Sequence, residues 1–238
     1  MPTVDVVANL GKIKEKVEAA AQRSGRSADA VTLVAVSKTK PFELVQQLYG
    51  AGHRDFGENR TEEALGKVDQ SKSAAMDEIR WHMIGSIQSR KSSQVTGPFT
   101  LLHSVDRKKL AARLSRDASE ADYVLSVLIQ VNVSGEESKH GFTPAQIKAE
   151  LPELAMLPNL QIHGLMTMAP FVDDAEETRP VFRNLRELRD ELADLYPPAD
   201  YPSAPLEHLS MGMTNDFGVA IEEGATIVRI GSAIFGER

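Results

Sequence analysis

The strongest constraint on this chain is the alternation of short apolar runs with amphipathic stretches. The run VTLVAVSK at 31–38 is mostly apolar and β-branched, and about as long as a buried strand. Similar runs fall at 54–57, 79–84, 101–104, 124–131, 160–164, 208–211 and 226–230. Between most of them, apolar residues recur at helical spacing. Leu44, Val45 and Leu48 follow the first run, and Leu110, Ala111 and Leu114 follow the fourth. Val181, Leu185, Leu188, Leu192 and Leu195 precede the seventh. Strands separated by crossover helices imply parallel pairing. A closed barrel and an open doubly wound sheet both satisfy this pattern. Steady units of roughly 20–35 residues, close to an eighth of a ~250-residue barrel, favour a single α/β (β/α)8 TIM-type barrel.

Other signals place the remaining elements. Val4, Val7, Leu10, Ile13 and Val17 predict an extra amphipathic helix before the first strand. The eighth unit is short, and this helix is the natural filler for the gap it leaves. A helix is expected from about Glu58, and another after Gly85. Asp106 reads as the N-cap of a third, and Thr143-Pro144 as the cap and first turn of a fourth. The Pro-rich stretch YPPADYPSAP reads as an extended loop before strand seven. Nothing marks a domain boundary, so residues 1–238 are expected to form one domain.

Composition excludes several classes of function. The formal net charge of −7 argues against a nonspecific nucleic-acid binder. The chain has no cysteine, which rules out disulfides and thiolate chemistry and suits a reducing cytosol. The N-terminus lacks the basic start and apolar core of a signal peptide, and no apolar run approaches ~18 residues. A cytoplasmic protein with no membrane and no nucleic-acid partner is expected. The six histidines show no HxH or HExxH spacing, so no metal site is expected. No GxGxxG or Walker-type loop follows an early strand.

In a parallel barrel, functional groups gather at the C-terminal ends of the strands. Lys38 ends the first strand, with Lys40 two residues on. Glu58 and Asn59 follow the second, and His82 and Gly85 belong to the third. Asn132 follows the fifth, and His163 and Met166 mark the sixth. Ser210 and Gly212 end the seventh. Arg229, Gly231 and Ser232 end the eighth. A lysine there is either a packed stem with a solvated head or a carbonyl nucleophile. At a reference pKa of ~10.4, only about one lysine in 2,500 is neutral at pH 7, so the second role needs desolvation. Barrels often bind phosphate with the loops after strands seven and eight, where SMG at 210–212 and GS at 231–232 stand. Arg229 lies in the apolar run TIVRI and needs a partner: a ligand anion, a ring nitrogen or a buried carboxylate. Glu58 reads best as a favourable charge at a helix start. His82 and His163 read as hydrogen-bonded core or rim residues, and Met166, Met168, Met211 and Met213 as packing near a cavity. Lysine with an anion cradle points to a cofactor bearing an aldehyde and a phosphate; pyridoxal 5′-phosphate has both.

Whole blocks then carry a resemblance: AVSKTKP at 35–41, FGEN at 56–59, HMIGSIQ at 82–88 and QVNVSGEESKHGF at 130–142. HGLMTMAP at 163–170, LSMGMTNDF at 209–217 and VRIGSAIFGER at 228–238 continue it. Together they resemble the pyridoxal phosphate homeostasis protein family, whose barrel is related to the N-terminal domain of alanine racemase. The resemblance implies pyridoxal 5′-phosphate held as an aldimine on Lys38. It implies Ser210, Gly231 and Ser232 at the phosphate and Arg229 near the pyridine nitrogen. Asn59, His82 and Met211 become ring or rim neighbours. Ile87, Arg90, Glu62 and Thr214 depart from the family's usual residues, and none is expected to touch the lysine or the phosphate cradle.

Two functions follow from the resemblance. One is a non-catalytic carrier in vitamin B6 homeostasis, expected to be a monomer that serves apo-forms of pyridoxal phosphate enzymes. Alanine racemases add a β-rich domain with a tyrosine base opposite the lysine, whereas this chain ends at Arg238, directly after the last strand. The other is a small racemase-like enzyme, with His163 or Tyr123 as its acid–base group.

Overall fold

The computed structural model describes residues 4–136 and 140–237. Asp5 caps helix α1 (Val6–Arg23), its carboxylate accepting the Ala8 N–H at 2.9 Å. The cap satisfies one of the donors every helix leaves unpaired at its start. The apolar stripe holds as expected at Leu10, Ile13 and Val17 and differs only at its start. Val6, Leu10, Ile13, Val17, Ala20 and Ala21 are buried, whereas Val4 and Val7 are exposed. Val6 precedes Leu10 by four residues and Val7 by three, both helical spacings, and it is Val6 that turns inward.

The alternation then follows: β1 (Thr32–Val36), α2 (Phe42–Gly50), β2 (Asp55–Glu58), α3 (Thr61–Ser73), β3 (Arg80–Met83) and α4 (Ser92–Val95). It continues with β4 (Leu101–Val105), α5 (Lys108–Glu120), β5 (Leu125–Gln130), α6 (Pro144–Ala155), β6 (Leu160–Met166) and α7 (Arg179–Leu195). It ends with β7 (His208–Ser210), α8 (Phe217–Glu222), β8 (Ile227–Ile230) and α9 (Ser232–Phe235). Each strand pairs in parallel with the next, and β8 returns to β1 from Thr32↔Ile227 to Ala35↔Ile230. The sheet is therefore a closed barrel, not an open sheet.

Side chains alternate across the pleat. On β1, Leu33 and Ala35 belong to the large cluster shared with the helices. Val34 meets Leu101, Leu128, Met166 and Ile227 in a separate small cluster. Apolar filling of the lumen is thus confined to a few residues, and the rest of the interior is polar. Helix α1 packs on α8 and α9 and covers the short last unit, as expected.

Three expectations about helix starts change. Glu58 ends β2, fully buried, and α3 begins only at Thr61. No long helix follows Gly85; a loop leads to the four-residue α4, in a stretch ending in the chain breakers Gly97 and Pro98. Asp106 does not cap α5. Arg107 is the N-cap residue and makes no side-chain cap bond, because a guanidinium has no acceptor to offer; it donates instead to the Asp106 carboxylate. Thr143 and Pro144 behave as read: Thr143 forms a reciprocal capping box with Gln146, and Pro144 is the first helical residue.

Candidate functional site

The strand β1 delivers Lys38 to the rim through a strained turn. Ser37 is fully buried, Lys38 is half-buried, and Thr39 adopts φ +62°, the left-handed region. For a β-branched residue this conformation costs about 1–3 kcal/mol and persists only when its surroundings enforce it. Here they do. The Thr39 N–H donates to Glu63 Oε1 at 2.5 Å. Lys67, on α3, donates to the Ser37 carbonyl at 2.6 Å, Glu58 Oε1 at 2.7 Å and Glu63 Oε1 at 3.0 Å. Ser37 donates its hydroxyl to Glu58 Oε1 at 2.6 Å. Burial pushes the Glu58 carboxyl up, against the opposing pull of Lys67 and Ser37. Sequence reading missed Lys67; its one visible signal is the Glu63–Lys67 spacing of four on a helix. Lys40 donates to the carbonyls of Gly236 at 2.9 Å and Glu237 at 3.0 Å, tying the Lys38 turn to the residues after α9.

A cavity of ≈ 500 Å³ opens at the C-terminal ends of the strands. Lys38, Asn59, Arg229, Gly231 and Ser232 line it. Arg229 is buried, donating to Ser210 Oγ at 2.6 Å and to the Thr167 carbonyl at 3.0 Å. Burial pushes its guanidinium down to about 10, with Asp216 pulling the other way. The group therefore stays charged at neutral pH. Asn59 Oδ1 is buried against the cavity with no hydrogen-bond partner. Gly85 is fixed by Asn59: a Cβ there would lie 2.1 Å from the Asn59 carbonyl oxygen. Gly212, at φ +94°, lets the loop after β7 fold onto α8, where a Cβ would fall 2.6 Å from that of Ala220. The loops after β7 and β8 meet through Ser232, whose hydroxyl donates to Thr214 Oγ1 at 3.3 Å. Thr214 also lines the cavity, so this departure from the family pattern does touch the expected phosphate cradle.

Three of the predicted residues do not line the cavity. Ser210 is fully buried, with its Oγ between Arg229 and His103. His82 is buried deeper, against His103 and Asp55. Met211 is fully buried in the outer core. Met166 fills the barrel interior, while Met168 and Met213 line the cavity. His163 lies within β6, 3.8 Å from Glu207 and packed on His208, and Asn132 donates to the Glu136 carbonyl in its own loop. Among the described residues, no histidine or tyrosine lines the cavity, and no cluster of ligating side chains could hold a metal. Residues 137–139 of the block at 130–142, and Arg238 of the last block, lie outside the described residues. Among the described residues, no helix is long and apolar enough to cross a membrane.

Known proteins bear the same pattern. The profile of the family described as alanine racemase, N-terminal domain, matches residues 8–238. The pyridoxal phosphate homeostasis protein of Aquifex aeolicus is 44% identical over 229 residues, covering 96% of this chain and 96% of that protein. PipY of Synechococcus elongatus, solved with PLP bound, superposes with a TM-score of 0.83 at 36% identity, covering 98% of this chain and all of that one. A protein of unknown function from Bifidobacterium adolescentis superposes with a TM-score of 0.89 at 34% identity, covering 97% of this chain and 94% of that one. By fold, by the residues around Lys38 and by these full-length relatives, the chain belongs to the pyridoxal phosphate homeostasis protein family.

Proposed function

We propose that this protein binds pyridoxal 5′-phosphate in the cavity at Lys38 and holds it, without turnover, as part of intracellular vitamin B6 homeostasis. The observation that carries the reading is one cavity lined by an amine, a buried cation and a hydroxyl-bearing loop pair: Lys38, Arg229, and Ser232 with Thr214. The residues fit the group. Pyridoxal phosphate supplies an aldehyde that condenses with a primary amine with loss of one water. Lys38 presents that amine from a turn pinned on both sides. Ser232 and the Gly231 backbone offer donors to an anion. The orphaned Asn59 Oδ1 offers an acceptor to a ring substituent. Arg229 meets the ring; a guanidinium only donates and stays charged, so it does not encourage a proton on a ring nitrogen. Ser210 and His82 act from behind Arg229.

Holding without turnover is the reading that the homeostasis relatives support, and among the described residues the cavity wall is compatible with it. A second acid–base group opposite the lysine is needed to invert a stereocentre. His163 and Tyr123, the two candidates for that part in the racemase-like reading, do not line the cavity. The proposed protein is a single-domain cytoplasmic monomer over residues 1–238. Its partners are the cofactor and apo-forms of pyridoxal phosphate enzymes, with no nucleic acid and no membrane. The test is to load the protein and incubate it with a panel of L-amino acids. Retention of cofactor with no racemisation above the Lys38→Ala background is expected. Sustained turnover that depends on Lys38 would replace this reading with the enzymatic one.

A further inference from the structure

A polar column crosses the barrel interior beneath Arg229. Arg229 Nη1 lies 2.6 Å from Ser210 Oγ. Ser210 Oγ lies 2.8 Å from His103 Nδ1. His103 Nε2 lies 2.9 Å from His82 Nδ1, and His82 Nε2 lies 3.2 Å from Asp55 Oδ1. Arg80 closes the far end with two bonds to the Asp55 carboxylate, at 2.7 and 2.5 Å. All five members of the column from Arg229 to Asp55 are buried. They come from β8, β7, β4, β3 and β2, so the column runs from the cavity to the N-terminal ends of the strands.

The direction of every bond follows from the two ends. A guanidinium can only donate. Asp55 is ionised and can only accept: burial raises its carboxyl, but hydrogen bonds from His82 and Arg80 outweigh that and hold it at about 2. His82 must therefore place a proton on Nε2. With both rings neutral, His82 Nδ1 is bare and needs the His103 Nε2–H. His103 Nδ1 is then bare and needs the Ser210 hydroxyl proton. Burial, with the charge of Arg229, keeps His103 neutral. Each of the four links thus holds one proton, and all point away from Arg229. The Ser210 lone pairs are left facing the guanidinium. If the His103 proton moved to Nδ1, the Ser210 oxygen would accept from both His103 and Arg229, and its own proton would lose its acceptor in the column.

We infer that Ser210, His103, His82 and Asp55 form a positioning column for Arg229, in which a carboxylate at the barrel floor sets how the guanidinium is held at the cavity. This rests on the proposed cofactor site for its consequence, but the column is readable without cofactor. The test has two arms. In protein without added cofactor, ¹⁵N correlation spectra of labelled histidine should give His103 and His82 both as Nε2–H tautomers. A Nδ1–H tautomer at His103 overturns the column. In the second arm, pyridoxal phosphate is titrated into wild type, His103→Leu and His103→Gln, following affinity and the visible band. His103→Leu should weaken binding about tenfold, the size of one lost hydrogen bond, and move the band. Gln carries both an acceptor and a donor, so His103→Gln should restore most of the affinity. Wild-type affinity and spectrum in His103→Leu overturn the column's role. A wild-type protein that takes up no pyridoxal phosphate overturns the cofactor reading instead, and the tautomers then decide the column alone.

Discussion

Lys67 and Arg229 are both buried cations, yet their surroundings differ in kind. Lys67 donates to two carboxylates, Glu58 and Glu63, and to the Ser37 carbonyl, so its charge is neutralised inside the protein. Arg229 donates to a hydroxyl and a carbonyl, Ser210 and Thr167, and faces the cavity. The Asp216 carboxylate raises its pKa only through charge, and burial still pushes the guanidinium down to about 10. Isolated buried charge is costly. A fold that neutralises one cation fully and leaves the other with neutral partners is using them differently. Lys67 braces the turn that aims Lys38, and Arg229 keeps its charge for a ligand.

The sharpest way to break this contrast is to remove each cation. Lys67→Met strands the Glu58 and Glu63 carboxylates, and removing one partner of a buried pair costs about 3–5 kcal/mol. Urea unfolding should show that loss. Arg229→Leu strands no carboxylate hydrogen-bonded to it but leaves the Ser210 oxygen and the Thr167 carbonyl without their donor, so it should cost about 1–3 kcal/mol, less than Lys67→Met, while weakening cofactor retention. Equal losses in the two variants would erase the distinction.

A second effect sits at the foot of the Arg229 column. The Asp55 carboxyl is held at about 2 against a usual 3.8, so the folded state binds that proton more weakly than the unfolded chain does. Its stabilisation is complete above about pH 5 and is lost as the pH falls from about 4 to about 2, amounting to about 2 kcal/mol. Asp55→Asn should flatten the stability profile in that window. An unchanged slope would mean that Asp55 has no such bonds in solution.

The smallest expected effect lies at the cavity's anion end. Ser232→Ala should leave urea stability within about 0.5 kcal/mol, because the site is exposed. It should still weaken pyridoxal phosphate binding roughly threefold to tenfold, the range of a single hydrogen bond. Unchanged binding would remove Ser232 from the cradle.

Lys38, Asn59, Arg229, Gly231 and Ser232 were legible because each stands at the end of an expected strand, where the barrel rule places function. Strands such as β1, β5 and β8 were legible because apolar β-branched residues announce a buried strand wherever it lies. What could not be read was direction and partnership. Ser210 and His82 sit on the right strands but point into the interior, and their partners His103 and Asp55 lie on other strands. The parity of a pleat at a strand end is set by barrel register, which one strand's sequence does not contain. Lys67 shows the same limit: its place under Lys38 depends on β1, β2 and α3 meeting in space. Thr214 looked remote from the cradle and is hydrogen-bonded to it, because the loops after β7 and β8 converge. The missing helix after Gly85 is a local matter, a stretch where turn residues outweigh apolar spacing.

Lys38 and Lys40 are two residues apart on one rim, and Lys40 donates its ammonium to the carbonyls of Gly236 and Glu237. The central claim is that Lys38 is the cofactor's anchor. Borohydride reduction of the loaded protein followed by peptide mapping tests it directly. The account predicts stoichiometric pyridoxyl label on Lys38 in wild type and none retained in Lys38→Ala. Label on Lys40, label spread over surface lysines, or no label at all would contradict it.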